Sequence, residues 1–153
     1  MKKKLSEEEI ELNEKKKEYL RQFQESIRAV RRIEEQIKEL ETDEMCPTGL
    51  SLNGMPMASS FNNKDLSVYV AKKDKLITDM INARHKRITL YQDIFKRIED
   101  LTDEDEREVL TLRYIKGMKW ETVACHRHVE WAQVHRIHAR ALKSFKLPED
   151  DTQ

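Results

Sequence analysis

The sequence predicts an all-α protein: a long antiparallel helical hairpin, coiled-coil-like, followed by a C-terminal helix-turn-helix domain. Three observations lead there. Gly and Pro together number six in 153 residues, too few to punctuate a sheet-rich fold. Charged and hydrophobic residues each make up 38%, which suits long helices with one buried stripe and a broad solvated face. Apolar residues recur at intervals of three and four along two long stretches, the period of one helix face. The predicted division is 1–100 for the hairpin, with a loop at about 42–62, then 101–147 for the helix-turn-helix, then 148–153 as an acidic tail.

The first helix is expected from about Leu5 to Glu41. Ser6 followed by Glu9 is a capping box that would start it. Leu20, Phe23, Ile27, Val30, Ile33, Ile37 and Leu40 form a narrow stripe, wide enough for one partner helix. The stretch TDEMCPTGLSLNGMPMASSFNN breaks the period with two of the three glycines and two of the three prolines. It reads as a long loop, though Leu50, Leu52, Met55, Met57 and Phe61 give it an apolar side that could cover a hairpin end or meet a partner. A second long helix, about Asn63 to Asp100, carries Leu66, Val70, Ile77, Met80, Ile81, Ile88, Tyr91, Ile94, Phe95 and Ile98. It is the natural antiparallel partner of the first, and pairing of two copies through these helices is a further expectation.

Shorter helices follow. Thr102 with Asp105 marks a start, and DEREVLTLRYI carries Val109, Leu110, Leu112 and Ile115. Lys116-Gly117 ends it, Gly supplying the left-handed stop. The next helix begins near Trp120 and the last runs from about Trp131 to Phe145. With Trp120 as first position, the helix-turn-helix pattern wants an apolar fourth residue, a small fifth where the helices touch, and apolar tenth, fifteenth and eighteenth residues. Val123, Ala124, Val129, Val134 and Ile137 supply them. Two positions depart. Arg127 stands where an apolar residue is usual and must lay its stem along the core. His128 stands where the turn prefers Gly, and His tolerates positive φ better than most residues.

The segment DEREVLTLRYIKGMKWETVACHRHVEWAQVHRIHARALKSF resembles region 4 of a bacterial sigma-70-type factor, the part that reads a promoter element. With NGMPMASSFNNKDLSVYVAKKDKL and the long helices, the chain resembles small phage and prophage proteins of the sigma-like RinA/ArpU type, which are regarded as transcriptional regulators. The resemblance implies sequence-specific binding of double-stranded DNA at promoters and contact with host RNA polymerase.

Helical geometry then sorts the last helix. At 100° per residue, Val134, Ile137, His138 and Ala141 share one side and should face the core. Ala132, His135, Arg136, Ala139 and Lys143 lie opposite, flanked by Trp131 and Arg140. Trp131, Ala132, His135 and Arg136 are the candidate base-reading residues, with Arg136 suited to a bidentate guanine contact. Lys119, Arg140 and Lys143 are the candidate phosphate contacts. Between Lys119 and Lys146, six basic and two acidic residues leave a local +4 in a chain whose formal net charge is zero.

Four of the five histidines and one of the two cysteines fall between Trp120 and Leu142, which raises the question of a metal. Cys125 with His128, and His135 with His138, have paired spacings. His138 should nevertheless face the core while His135 faces out, the intervening stretch is too short for a usual finger, and structural zinc sites normally sit on loops or a hairpin. No metal and no cofactor is expected. There is no Gly-rich phosphate loop, no Ser/His/Asp or Cys/His arrangement and no convincing acid pair, so an enzyme is not expected either. Two widely separated cysteines, a highly charged N-terminus and no long apolar run predict a soluble cytoplasmic protein with no membrane partner. Two other readings remain open: a phage packaging factor like a terminase small subunit, and a protein-docking module whose helix-turn-helix has degenerated at Arg127 and His128.

Overall fold

The computed structural model describes residues 6–45 and 63–149. They are helical, with no strand among the described residues: α1 Glu7–Met45, α2 Asn63–Glu99, α3 Glu104–Leu110 continued by a π-helical turn Thr111–Ile115, α4 Trp120–Arg127, and α5 Trp131–Ser144. No helix among these residues is long and apolar enough to cross a membrane.

The predicted capping box starts α1: Ser6 N–H donates to Glu9 Oε2 at 3.1 Å, and Glu9 N–H donates to Ser6 Oγ at 3.2 Å. At its other end α1 runs on to Met45, so residues 42–45, predicted as loop, are helical. Nothing in Thr-Asp-Glu-Met breaks a helix, and the Thr42 hydroxyl returns to the Lys38 carbonyl. The rest of the predicted loop, with Leu50, Leu52, Met55, Met57 and Phe61, lies outside the described residues, as do residues 150–153 of the tail.

The chain forms two compact units. One comprises the chain up to Ile27 together with everything from Lys86 onward; the other is Arg28–His85. In the first, Leu20 and Phe23 of α1, Ile94 and Ile98 of α2, Leu101, Leu110 and Tyr114, and Ala141, Leu142, Phe145 and Leu147 bury one another in a single cluster. Packing therefore crosses residue 100, where the sequence placed a domain boundary. The reason is that α3 and α5 are too short to cover their own apolar sides and use the ends of the long helices.

Polar contacts support the same arrangement. Gln24 Nε2 donates to the carbonyls of Tyr114 and Ile115 at 3.1 and 2.8 Å, satisfying orphan acceptors at the end of the π-helical turn. Lys16 Nζ does the same for Leu142 near the end of α5, at 2.8 Å. Gly117 follows with φ +68, so the turn needs Gly for its conformation, and a Cβ there would lie 2.8 Å from Gln24 Oε1 and displace that amide. The start of α3 is Asp103 rather than Thr102. Its carboxylate accepts from the N–H groups of Asp105 and Glu106, and a charged acceptor suits the positive end of a helix.

In the unit Arg28–His85, Glu34 pairs with Arg84 at 2.6 Å and Glu41 with Lys73 at 2.9 Å. Rising numbers in α1 meet falling numbers in α2, so the two helices run antiparallel here. Val30 is buried, and Ile33, Ile37, Leu40, Ile77 and Met80 are half-buried. Leu66, Val70 and Ile81, predicted for the buried stripe of α2, are exposed, as are Ile88 and Tyr91 in the first unit. Apolar residues of α2 occupy more than one stripe, and a single partner helix covers only one.

Candidate nucleic-acid interface

The two short helices α4 and α5 meet at the residues the spacing singled out. Val123, Ala124, Val134 and Ile137 are buried with Val109 and Leu112 of the α3 segment, and Met118, Trp120 and Val129 pack against them. Between the helices, His128 adopts φ 54 and ψ 38, the only non-Gly residue with positive φ among those described. Its N–H donates to the carbonyls of Ala124 and Cys125, and Val129 N–H donates to Ala124 at 3.1 Å. A left-handed residue is thus what closes α4, and His fills that role at a cost of about 1 kcal/mol relative to an unstrained residue.

The faces of α5 follow the predicted sorting with one exception. Val134, Ile137, His138 and Ala141 are buried; Trp131, Ala132, Arg136, Ala139, Arg140 and Lys143 are exposed, and so is Lys119 ahead of α4. Trp131 stands out at 56% exposure. Gln133 is also exposed in the first turn of α5. It shares a flank with Arg136, three residues on, and an amide there can pair with adenine. The sequence pattern singled out the outer face with Trp131 and Arg140 at its flanks, and Gln133 was not among them.

The exception is His135. It is half-buried, with its ring centroid 4.7 Å from that of Trp120 and 4.0 Å from that of Trp131. Its Nε2 is buried with no hydrogen-bond partner. The outward-facing base reader expected at this position is instead a wedge between two indoles. Two large aromatic residues, one at the start of each helix, draw the imidazole inward, and spacing within α5 alone carries no sign of that.

His138 has the opposite surroundings. It is 7% exposed, its Nε2 lies 3.0 Å from the Tyr114 hydroxyl, and Trp120 meets its ring edge-on at 4.7 Å. Burial lowers its pKa to about 4 and raises that of Tyr114 to about 12, so both are uncharged at neutral pH. Phenol is the stronger acid and imidazole the stronger base, so Tyr114 O–H donates to Nε2. The Arg113 guanidinium sits over the Trp120 ring, 4.7 Å from the indole centroid, and donates to the Met118 carbonyl at 2.7 Å. His135 and His138 thus belong to an aromatic spine with Tyr114, Trp120 and Trp131. Among the described residues no three His, Cys, Asp or Glu side chains gather as a metal site would require, and Cys125 is exposed.

Electrostatics alter the local charge count. Arg127, in the predicted apolar position, forms ion pairs with Asp105 and Glu108 of α3, and its Nε is buried without a partner. Arg140 lies 3.4 Å from Asp103 and 3.6 Å from Glu106. Two of the six cations counted between Lys119 and Lys146 are therefore matched by carboxylates from α3, which lay outside that window. Lys119, Arg136 and Lys143 are exposed and make no ion pair with the described residues, so they can meet an anionic surface. Comparison with protein families, with characterised proteins and with solved structures found no match.

Proposed function

We propose that α4, the His128 turn and α5 form a helix-turn-helix that binds double-stranded DNA, with α5 in the major groove, and that the protein regulates transcription at phage or prophage promoters. The reading is carried by one observation. Trp131, Ala132, Arg136, Ala139 and Lys143 line an exposed face of α5, opposite Val134, Ile137 and Ala141, which anchor it. A helix held by one side and offering small, basic and aromatic residues on the other is the form a groove-reading helix takes. The resemblance of this segment to sigma region 4 supports the same reading. Contact with host RNA polymerase, action in the bacterial cytoplasm and pairing of two copies through the long helices belong to it as proposals. The exposed Leu66, Val68, Val70 and Ile81 of α2 favour the last.

Selection from a random duplex library tests this. The wild-type protein should enrich a motif containing guanine. Arg136→Ala should lose that guanine and bind the motif about ten- to a hundredfold more weakly. Unchanged affinity and motif in Arg136→Ala would make the recognition-helix assignment wrong. A second reading, a protein-docking module, is favoured by the pairing of Arg127 and Arg140 with α3 carboxylates. No DNA binding at low salt, together with a stable protein partner, would favour it.

A further inference from the structure

We infer that His135 positions Trp131 rather than reading a base itself, and that Trp131 is the contact through which α5 selects a thymine by its methyl group. The inference rests on the DNA-binding reading above and names what one part of that interface recognises. A base-edge contact needs a ring nitrogen in open groove, within hydrogen-bond reach of the base. His135 Nε2 is buried and unpartnered, and the ring is held between Trp120 at 4.7 Å and Trp131 at 4.0 Å. Turning outward would forfeit both aromatic contacts and leave a gap beside the α4–α5 cluster.

Support passes outward in steps. Trp120 is anchored in the cluster of Val123, Val134 and Ile137, and is further fixed by an edge-on contact with His138 and by Arg113 over its ring. Trp120 backs His135, and His135 backs Trp131. The last ring is 56% exposed, yet it is held by a flat neighbour instead of being free to rotate. Ala132 beside it is exposed and small, so the indole can approach the groove floor. The one apolar feature there is the thymine methyl. An indole has a single N–H donor and otherwise offers carbon, so a methyl group is its natural partner.

Two measurements test this. In the first, wild type, Trp131→Ala, His135→Phe, His135→Gln and His135→Ala each select from the random duplex library. Wild type and His135→Phe should enrich the same motif, a guanine with a thymine close by. The Gln and Ala variants, and Trp131→Ala, should keep the guanine and lose the thymine. Replacing that thymine with deoxyuridine in the selected duplex removes one methyl. It should weaken wild-type binding about fourfold and leave Trp131→Ala unaffected. An unchanged affinity for the deoxyuridine duplex, or a His135→Phe motif altered at a base pair of its own, overturns the inference while the DNA-binding reading stands.

The second measurement needs no DNA. The chain has two tryptophans, so in a Trp120→Phe background iodide quenching reports Trp131 alone. Adding His135→Ala should raise quenching about twofold, and adding His135→Phe should not. Equal quenching in all three overturns the positioning role. If no protein enriches any motif, the DNA-binding reading fails and the inference falls with it.

Discussion

In the unit Arg28–His85, α1 and α2 meet through the Glu34–Arg84 and Glu41–Lys73 ion pairs, and Val30 is the only buried apolar side chain among the unit's described residues. In the other unit the same two helices bury Leu20, Phe23, Ile94 and Ile98 against Leu110, Tyr114, Leu142 and Phe145. Both stretches of α1 and α2 are continuous helix. What differs is the apolar area removed from water, at about 25 cal/mol per Å². Exposed ion pairs contribute at most about 1 kcal/mol each, and an isolated helix pair with one half-covered stripe is marginal. The difference teaches that helix length is a poor guide to stability here. The short helices α3 to α5 stand in the strongly held unit, and the long paired stretch in the weakly held one. Local opening should follow that order, with amides of 28–45 and 63–85 exchanging ahead of those around α5.

The contrast can be broken most directly at Phe145, which is 1% exposed and touches Tyr19 ring to ring at 6.3 Å. Phe145→Ala should cost about 3–5 kcal/mol in urea denaturation, a loss no single substitution in 28–85 should match.

Acid is the next largest lever. His138 binds its proton with a pKa of about 4 in the fold, against about 6.5 unfolded. Its contribution is complete above pH 6.5. Between 6.5 and 4 the unfolded chain takes up a proton that the fold refuses, so stability falls by about 3 kcal/mol. Below 4 both states are protonated and this loss stops growing. Unfolding free energies from pH 8 to 4 should show the decline, and His138→Phe should flatten it. The Tyr114 hydroxyl acts at the other extreme, since its pKa is raised to about 12 by burial. Its part of the stability is whole below pH 10 and declines from there toward 12.

Smaller effects sharpen the comparison. Arg127 is paired with Asp105 and Glu108 while its Nε lacks a partner. Ion pairs to solvent-accessible carboxylates contribute at most about 1 kcal/mol each, and an unpartnered buried Nε costs about as much, so Arg127→Met should be neutral or stabilising by about 1 kcal/mol. Its DNA affinity should stay within about twofold of wild type, because this cation is directed at α3 and not at phosphate. Arg84→Ala, which removes a half-exposed pair with Glu34, should change global stability by under about 0.5 kcal/mol. Its effect should be confined to faster hydrogen exchange between residues 28 and 85.

The sequence by itself determined where α1 starts, where the chain turns before α4 and before α5, and which apolar residues anchor those two short helices. The Ser6–Glu9 box, the left-handed Gly117 and His128, and the joint burial of Val123, Ala124, Val134 and Ile137 were all legible, because capping and period depend on residues within a turn or two of each other. Tertiary structure alone decided the fate of the polar and surplus apolar residues. Lys16 closes α5 from 126 positions away, and Gln24 caps a turn about ninety residues further on. Arg127 and Arg140 find carboxylates on α3. His138 goes to Tyr114 and His135 between two indoles, though they sit three residues apart. Ile81 and Ile88 stay exposed while Ile94 and Ile98 are buried. A hydrogen bond, an ion pair or a ring contact needs its partner at a specific place in space, and α1, α3 and α4 come beside α5 only when the chain folds.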